Sequence, residues 1–339
     1  MNAIVTLTPS AAIDHTYLLS ELVVGQVNRA CSAHSELSGK GVNVGHAIAL
    51  AGRRVSAVLA LGQQDLAFAE QVTSGSHLRA VGVPGRTRIN TTILDEHGHT
   101  TKINESPIPL ADEHWRELCR VTLEEIERLD ADWLVLCGSI PTRAGSNELV
   151  PFTDLLREAA ALGTRVALDT SGAALDRAVA DLGLVTLLKP NTHELAALVR
   201  RELRTIADVT AAAAELRALG VDTVYVSMGE DGALAVAEQG VWWARANVDT
   251  VVNSAGAGDA SLAGFLVGTG ADAEGEGRSE PTLSRALAMA VSWGALAVTQ
   301  STTLLTSLEA APEATVLRDP DPATRLRDPA VWHHERPAV

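Results

Sequence analysis

The 339-residue sequence is long enough for one large α/β domain with an appendage or for two smaller domains. Hydrophobic residues make up 46% and charged residues 20%, which excludes a disordered polar chain and a membrane bundle; with aromatics at 3%, Ala, Val and Leu must fill the core. Acidic residues outnumber basic ones 42 to 27, and the net charge of −15 opposes non-specific binding to nucleic acid or to an anionic membrane.

Any anionic ligand must therefore meet a local positive site. Of the basic residues only Lys40, Lys102 and Lys189 are lysines, the compact point charges among a majority of wide, planar arginines. Cys31, Cys119 and Cys137 are odd in number and lack CxxC spacing, so neither a disulfide framework nor a zinc knuckle is indicated and a reducing cytoplasm is expected. No basic region precedes the apolar start of the chain, and the apolar run at 286–298 is too short for a bilayer, so neither export nor a membrane partner is expected.

In chain order, short β-branched runs at 4–7, 55–61, 133–136, 166–169, 185–188 and 224–227 read as strands. They alternate with helical periods at 42–51, 115–129, 149–162, 192–200 and 209–219. The pattern predicts an α/β fold with a largely parallel sheet. One segment breaks it: 87–94 and 100–103 flank Asp95-Glu-His-Gly-His99, whose Gly98 sits where a hairpin turn needs positive φ, and 21–35 reads as extended beside it. A small accessory sheet is expected there. A second hairpin is expected from 233–237 to 241–246, then two long Ala-rich helices at 258–268 and 283–299 joined by an acidic, Gly-rich linker at 271–280. From about Leu317 no periodicity remains and Arg-Asp-Pro occurs twice, which reads as a tail, ordered only if it docks.

Four motifs carry chemistry. In Asn253-Ser-Ala-Gly-Ala-Gly-Asp259 the small residues Gly256, Ala257 and Gly258 leave backbone N–H groups uncovered at a helix start, which is a ready anion site. An acidic residue in that turn fits a base that takes a proton from a hydroxyl as phosphate is transferred to it; the purely structural alternative is that Asp259 is an N-cap on a tight turn. In Ser38-Gly-Lys-Gly-Val-Asn43, Gly39 and Gly41 allow close approach of a ligand, Lys40 brings a charge and Asn43 projects one turn into the helix, or the motif is simply a helix start. In Lys189-Pro-Asn-Thr-His-Glu194, Asn191 and Glu194 either close a capping box or hold water around Mg²⁺ at a sheet's carboxyl edge, and His193 reads as a surface residue. Arg88 and Asn90 alternate on one face of the odd hairpin, where with Lys102 they form a phosphate clamp or merely a solvated face. His97, His99, His333 and His334 read as surface residues without a third ligand.

These motifs together resemble the PfkB (ribokinase-like) family of sugar kinases, in particular its phosphosugar branch of 1-phosphofructokinases and tagatose-6-phosphate kinases. The likeness runs from about residue 4 to 303. It includes Ile13-Asp14, Gly25-Gln-Val-Asn-Arg29, Gly39-Lys-Gly-Val-Asn43, Thr87-Arg-Ile-Asn90, Lys102-Ile-Asn-Glu105, Gly138-Ser-Ile-Pro141, Leu168-Asp-Thr-Ser-Gly172, Lys189-Pro-Asn191 with Glu194, Val226-Ser-Met-Gly229 and Gly256-Ala-Gly-Asp259, in that order.

The resemblance implies a three-layer α/β/α kinase domain over residues 1–316, with a mostly parallel sheet, a small β lid from about 14–37 and 86–104, and a C-terminal tail at 317–339. It also implies ATP and Mg²⁺, a phosphorylated ketohexose as acceptor, and these roles: Asp259 as base with residues 256–258 as anion hole; Asp14, Gly39 and Asn43 on sugar hydroxyls; Arg88, Lys40, Arg29 and Ser139 on the substrate phosphate, with Asn90 and Lys102 beside them on the lid. Asn191 and Glu194 would order Mg²⁺ through water, and Lys189, Ser227, Gly229 and Asn253 would line the nucleotide cleft. The chain departs from the family pattern at Ser10-Ala11, where Asn-Pro is usual, at Ser38, where Gly is usual, and at Trp293, where a small residue is usual.

Within that branch the resemblance implies fructose 1-phosphate as the acceptor. Fructose 6-phosphate, tagatose 6-phosphate, a non-phosphorylated sugar or nucleoside, and a non-catalytic sugar-phosphate-binding role are the alternatives. A homodimer through the lid is expected, because an exposed small sheet is best covered by a partner.

Overall fold

The computed structural model of the protein describes residues 3–72, 77–97, 99–270 and 280–330. Gly98 of the expected hairpin turn, the linker at 271–279 and His333-His334 lie outside the described residues. No described helix is long and apolar enough to cross a membrane.

Near-continuous apolar runs form the centre of the molecule. β1 (Ile4–Thr8), β4 (Val55–Gly62) and β8 (Trp133–Cys137) are buried along their whole length, as parallel strands covered by helices on both faces must be. Between them come β2 (Ala12–Leu19), β3 (Ser32–Ser38), α1 (Lys40–Leu50), α2 (Leu66–Val72), β5 (Leu78–Val83), β6 (Arg88–Asp95), β7 (Thr100–Asn104) and α3 (Asp112–Leu129). There follow α4 (Phe152–Ala161), β9 (Arg165–Asp169), α5 (Gly172–Ala178), β10 (Leu187–Leu188), α6 (Thr192–Val199), β11 (Leu203–Thr205), α7 (Ile206–Ala218) and β12 (Thr223–Ser227). The chain closes with the hairpin β13 (Ala233–Ala237) and β14 (Gly240–Ala246), then α8 (Ala257–Gly268), α9 (Glu280–Val298), β15 (Ala314–Arg318) and β16 (Arg325–Ala330).

The main sheet runs β15-β14-β13-β12-β10-β9-β8-β1-β4-β5. It is parallel from β12 to β5 and antiparallel from β12 to β15. One apolar layer packs α3, α4, α6 and α7 on one face, and a second packs α1, α8 and α9 on the other. The strand order reverses at β1, between β8 and β4, and open α/β sheets bind ligands at the carboxyl ends of strands beside such a point. Thr8, Cys137, Asp169 and Ser227 are the last residues of β1, β8, β9 and β12.

The accessory sheet has the order β3-β2-β6-β7. Its first two strands correct the expectation of an extended 21–35: the strands are Ala12–Leu19 and Ser32–Ser38, and most of 20–31 is a loop turning at Gly25 (φ 84°), with Val23, Val24 and Val27 exposed. Valines there mimic strand composition without a face to bury, whereas Asp14 and His15 interrupt the apolar reading of a true strand. The lid is rooted where Thr87 donates its N–H to Asp65 Oδ2 (2.6 Å) and accepts the Gly62 N–H (3.0 Å).

The segment read as a tail docks. Its beginning completes β15 on the edge of the main sheet, and β16 pairs with β11 and buries Leu326 and Ala330.

Candidate active site

The start of α8 is set by Gly256, in the left-handed region at φ 78°, where a Cβ would collide with the Thr303 carbonyl. Gly256 is itself the N-cap, with no side-chain cap. The Ala257 N–H reaches Ser254 O at 3.4 Å and the Asp259 N–H reaches Gly256 O at 3.1 Å, while the Gly258 N–H has no acceptor among the described residues. Asp259 is therefore not the cap. Its side chain, 7% exposed, turns to α1, where Asn43 donates Nδ2–H to Oδ2 at 2.7 Å.

A buried charge network adjoins this carboxylate. Asp169, at the end of β9 and 1% exposed, accepts hydrogen bonds from Lys40 Nζ at 2.6 Å and from Lys189 Nζ at 3.0 Å. Burial opposes the Asp169 charge, but the Lys189 and Lys40 ammoniums outweigh it and hold the carboxyl below the usual range. For Lys40 burial likewise works against the charge, and Asp169 and then Asp259 more than reverse it. Asp259 has no ammonium bonded to it: burial, then the charge of Asp169, push its pKa up to about 6 against the pull of Lys40, the Asn43 hydrogen bond and Lys189. A carboxylate poised near neutrality suits general base work.

On the lid side, Asn90 donates Nδ2–H to Asp14 Oδ1 at 2.9 Å across the paired strands β2 and β6. The Arg88 guanidinium is held by three carbonyls, those of Ser10 (3.2 Å), Ala11 (3.3 Å) and Glu105 (3.1 Å), and burial lowers its pKa. These bonds fix the Ser10-Ala11 segment and leave two guanidinium N–H groups free. Lys102 lies opposite Thr92, on the face of Arg88 and Asn90 by the period of two, and is exposed. Gly39, at φ 147°, lets α1 start against the Thr8 side chain, and Ser139 follows Gly138, which packs on the Lys40 stem. Arg29 is exposed in the loop before β3. The buried oxygens Asn43 Oδ1, Asn90 Oδ1 and Thr8 Oγ1 have no partner; orphaned acceptors of this kind suit ligand hydroxyls.

On the opposite side, Asn191 and Glu194 close the capping box of α6 through Glu194 N–H to Asn191 Oδ1 and Asn191 N–H to Glu194 Oε2, both 2.8 Å. Asn191 also bridges to Ser227, and Gly229 turns the chain after β12 at φ 55°. Asn253 shapes the turn before α8, accepting the Ala255 N–H at 3.0 Å and donating to Ser301 O at 3.3 Å. Trp293, 6% exposed, is part of the core between the sheet and α8–α9. Among the described residues no group of three or more His, Cys, Asp or Glu is arranged to hold a metal ion directly.

Residues 8–311 match the sequence profile of the pfkB family carbohydrate kinases. The chain belongs to the pfkB family. It is 33% identical over 304 residues to the 1-phosphofructokinase of Haemophilus influenzae, covering 89% of this chain and 92% of that one. The 1-phosphofructokinase of Rhodobacter capsulatus is 33% identical over 271 residues, covering 78% and 82%. Among solved structures, phosphofructokinase-2 from Escherichia coli in complex with potassium superposes with a TM-score of 0.80 at 26% identity, covering 91% of this chain and 96% of that one; its complex with fructose-6-phosphate gives 0.76 at 26%, covering 88% and 94%. The protein is thus a carbohydrate kinase, a phosphotransferase acting on a sugar hydroxyl, and it is similar to 1-phosphofructokinases over nearly its whole length.

As a pfkB kinase it brings Asp259, Asn43, Lys40 and Lys189 into one cluster and Asp14, Asn90 and Arg88 into a second on the lid. The residue that sequence reasoning passed over is Asp169. It stands inside the quoted Leu168-Asp-Thr-Ser-Gly172 motif, yet no role was assigned to it. The signal was present: a carboxylate closing an apolar strand is buried, and a buried carboxylate needs cations, which the scarce lysines supply.

Proposed function

We propose that this kinase transfers the γ-phosphoryl group of ATP to the C6 hydroxyl of fructose 1-phosphate, giving fructose 1,6-bisphosphate and ADP. The observation that carries the chemistry is the buried Asp259 carboxylate, uncapped, bonded to Asn43 and beside the free Gly258 N–H. In the reaction the hydroxyl oxygen bonds to the γ-phosphorus, the bond from that phosphorus to the ADP oxygen breaks, and the hydroxyl proton passes to Asp259. The Gly258 N–H and the positive end of α8 stabilise the charge on the transferring group. Lys40 and Lys189, held apart by one carboxylate, present positive charge from two sides.

The acceptor is supported by the curated relatives named 1-phosphofructokinase and by the lid. Asp14, Asn90 and Asn43 would hold sugar hydroxyls, Gly39 admitting the sugar; the remaining N–H groups of Arg88, with Lys102, Ser139 and Arg29, would meet the substrate phosphate. The neighbour solved with fructose-6-phosphate favours that sugar as the second reading. Ser227, Gly229, Lys189 and Asn253 would line the nucleotide cleft. Mg²⁺ fits Asn191 and Glu194 through water, because the capping box leaves acceptor positions on both side chains; bound there it would neutralise phosphate charge. Three free cysteines suit a reducing cytoplasm.

ADP release with Mg-ATP and each of fructose 1-phosphate, fructose 6-phosphate and tagatose 6-phosphate tests the acceptor. The highest kcat/KM is expected with fructose 1-phosphate; a higher value with either 6-phosphate moves the assignment to that sugar.

A homodimer through the lid is part of the same reading. The strand β7 is exposed throughout and Leu18 and Ile103 are uncovered apolar side chains. A light-scattering mass of one chain at micromolar concentration would contradict it.

A further inference from the structure

The strand β16 lies beyond the residues that the pfkB profile matches, and it touches both walls of the proposed nucleotide cleft. The Arg327 N–H donates to Asp231 Oδ2 at 2.8 Å and the Arg327 guanidinium to Glu230 Oε2 at 3.3 Å. Both acceptors belong to the turn at Gly229–Asp231, directly after Ser227 and Met228. On the other wall Asp328 Oδ2 lies 3.5 Å from Nε2 of His193, the neighbour of Glu194 in the first turn of α6. The strand itself is anchored: Leu203 pairs with Ala330 and Thr205 with Arg325, and the preceding Thr324 and Pro322 carbonyls accept the Ile206 and Ala207 N–H groups at the start of α7.

We infer that β16 is a brace for phosphoryl-donor binding, in which Asp231 and Asp328 act as positioning residues that fix the Gly229 turn and the first turn of α6 relative to each other. Short, exposed turns adjust easily by themselves. A strand hydrogen-bonded to the Gly229 turn and in polar contact with the first turn of α6 limits that freedom before the nucleotide arrives, so less ordering remains to be done on binding. The bonds lie on the donor side only; Asp14, Asn90 and Arg88 sit on the lid and make none with β16. The inference rests on the nucleotide-cleft reading.

The test uses the full chain carrying Asp231→Ala with Asp328→Ala, which removes the polar contacts and leaves the buried Leu326 and Ala330 in place, beside a chain ending at Thr324. Two readouts are taken: KM for ATP and for the sugar phosphate, and amide hydrogen exchange of the ligand-free protein. The double variant is expected to raise KM for ATP about 3- to 10-fold with KM for the sugar phosphate unchanged. Exchange should quicken at residues 191–195 and 227–231 and stay the same at 256–260, and Asp231→Asn, which keeps an acceptor, should restore most of the ATP affinity. Unchanged exchange, equal changes in both KM values, or faster exchange with an unaltered KM for ATP would each overturn the brace. Wild-type protein that exchanges slowly at these turns yet transfers nothing from ATP would instead sink the nucleotide-cleft reading. Should the shortened chain fail to fold, the double variant decides alone.

Discussion

Asp259 sits at the cost of its own charge. Its pKa of about 6, against an ordinary 3.8, means that the folded protein binds a proton more readily there than the unfolded chain does. The sign follows: this group favours the fold at low pH, and that contribution is lost as pH rises from about 4 to about 6, in all about 3 kcal/mol at 1.36 kcal/mol per unit. In the proposed mechanism activity runs the other way, because only the deprotonated carboxylate can accept the hydroxyl proton. The acid limb of kcat/KM is therefore expected to turn near pH 6, and Asp259→Asn should unfold at no lower denaturant concentration than wild type at pH 8. A limb at pH 4, or a markedly less stable variant, would count against this balance. Asp169 solves the opposite problem, since each carboxylate oxygen takes one ammonium and the charge survives burial. Compact ammonium groups suit that geometry; two guanidinium forks around one buried carboxylate would need more room than Gly138 and Gly258 leave beside the lysines.

At the scale of elements, the position of Asp259 depends on how closely α8 meets α9. A Cβ at Gly264 would stand 2.6 Å from the Met289 carbonyl oxygen and one at Gly268 2.5 Å from Ala286 Cα, so backbone lies against backbone at both crossings. Gly264→Ala gains about 1 kcal/mol of helix propensity but must push the helices apart, and overpacking of this kind costs about 1–3 kcal/mol. Net destabilisation in urea, with reduced kcat as α8 shifts, is expected; an equally stable variant would show that the crossing has slack. The same scale separates what could be read in advance from what could not. The runs of β1, β4 and β8 are apolar because helices cover both faces, and the turn signals around β13 and β14 are local, so these elements were legible. In β2, Asp14 shares the lid face of Asn90 while His15 points to the other face, and polar residues on both faces hide the strand. In β16, Arg325-Leu-Arg-Asp-Pro-Ala330 has no strand pattern of its own, and its partner β11 lies more than a hundred residues away; long-range pairing decided it.

Across the whole molecule, the strand reversal at β1 gathers distant positions: Lys40, Asp169 and Lys189 meet although Lys40 and Asp169 are 129 residues apart, and Asn43 and Asp259 although they are 216 apart. The individual motifs announced most of these side chains; their joint arrangement, and with it the role of Asp169, needed the fold. An acidic protein thereby places its three lysines at the cleft edge, Lys40 and Lys189, and on the lid face, Lys102, where two anionic ligands are to be brought together. The central claim is that Asp259 serves as the base for phosphoryl transfer to a phosphoketohexose. It is tested most directly by following fructose 1,6-bisphosphate formation from fructose 1-phosphate and Mg-ATP by phosphorus NMR, with wild type and Asp259→Asn side by side at pH 8. Product from the wild type and a rate at least about 100-fold lower from the variant are expected. Transfer by Asp259→Asn at a rate near that of the wild type would contradict the assignment of the base.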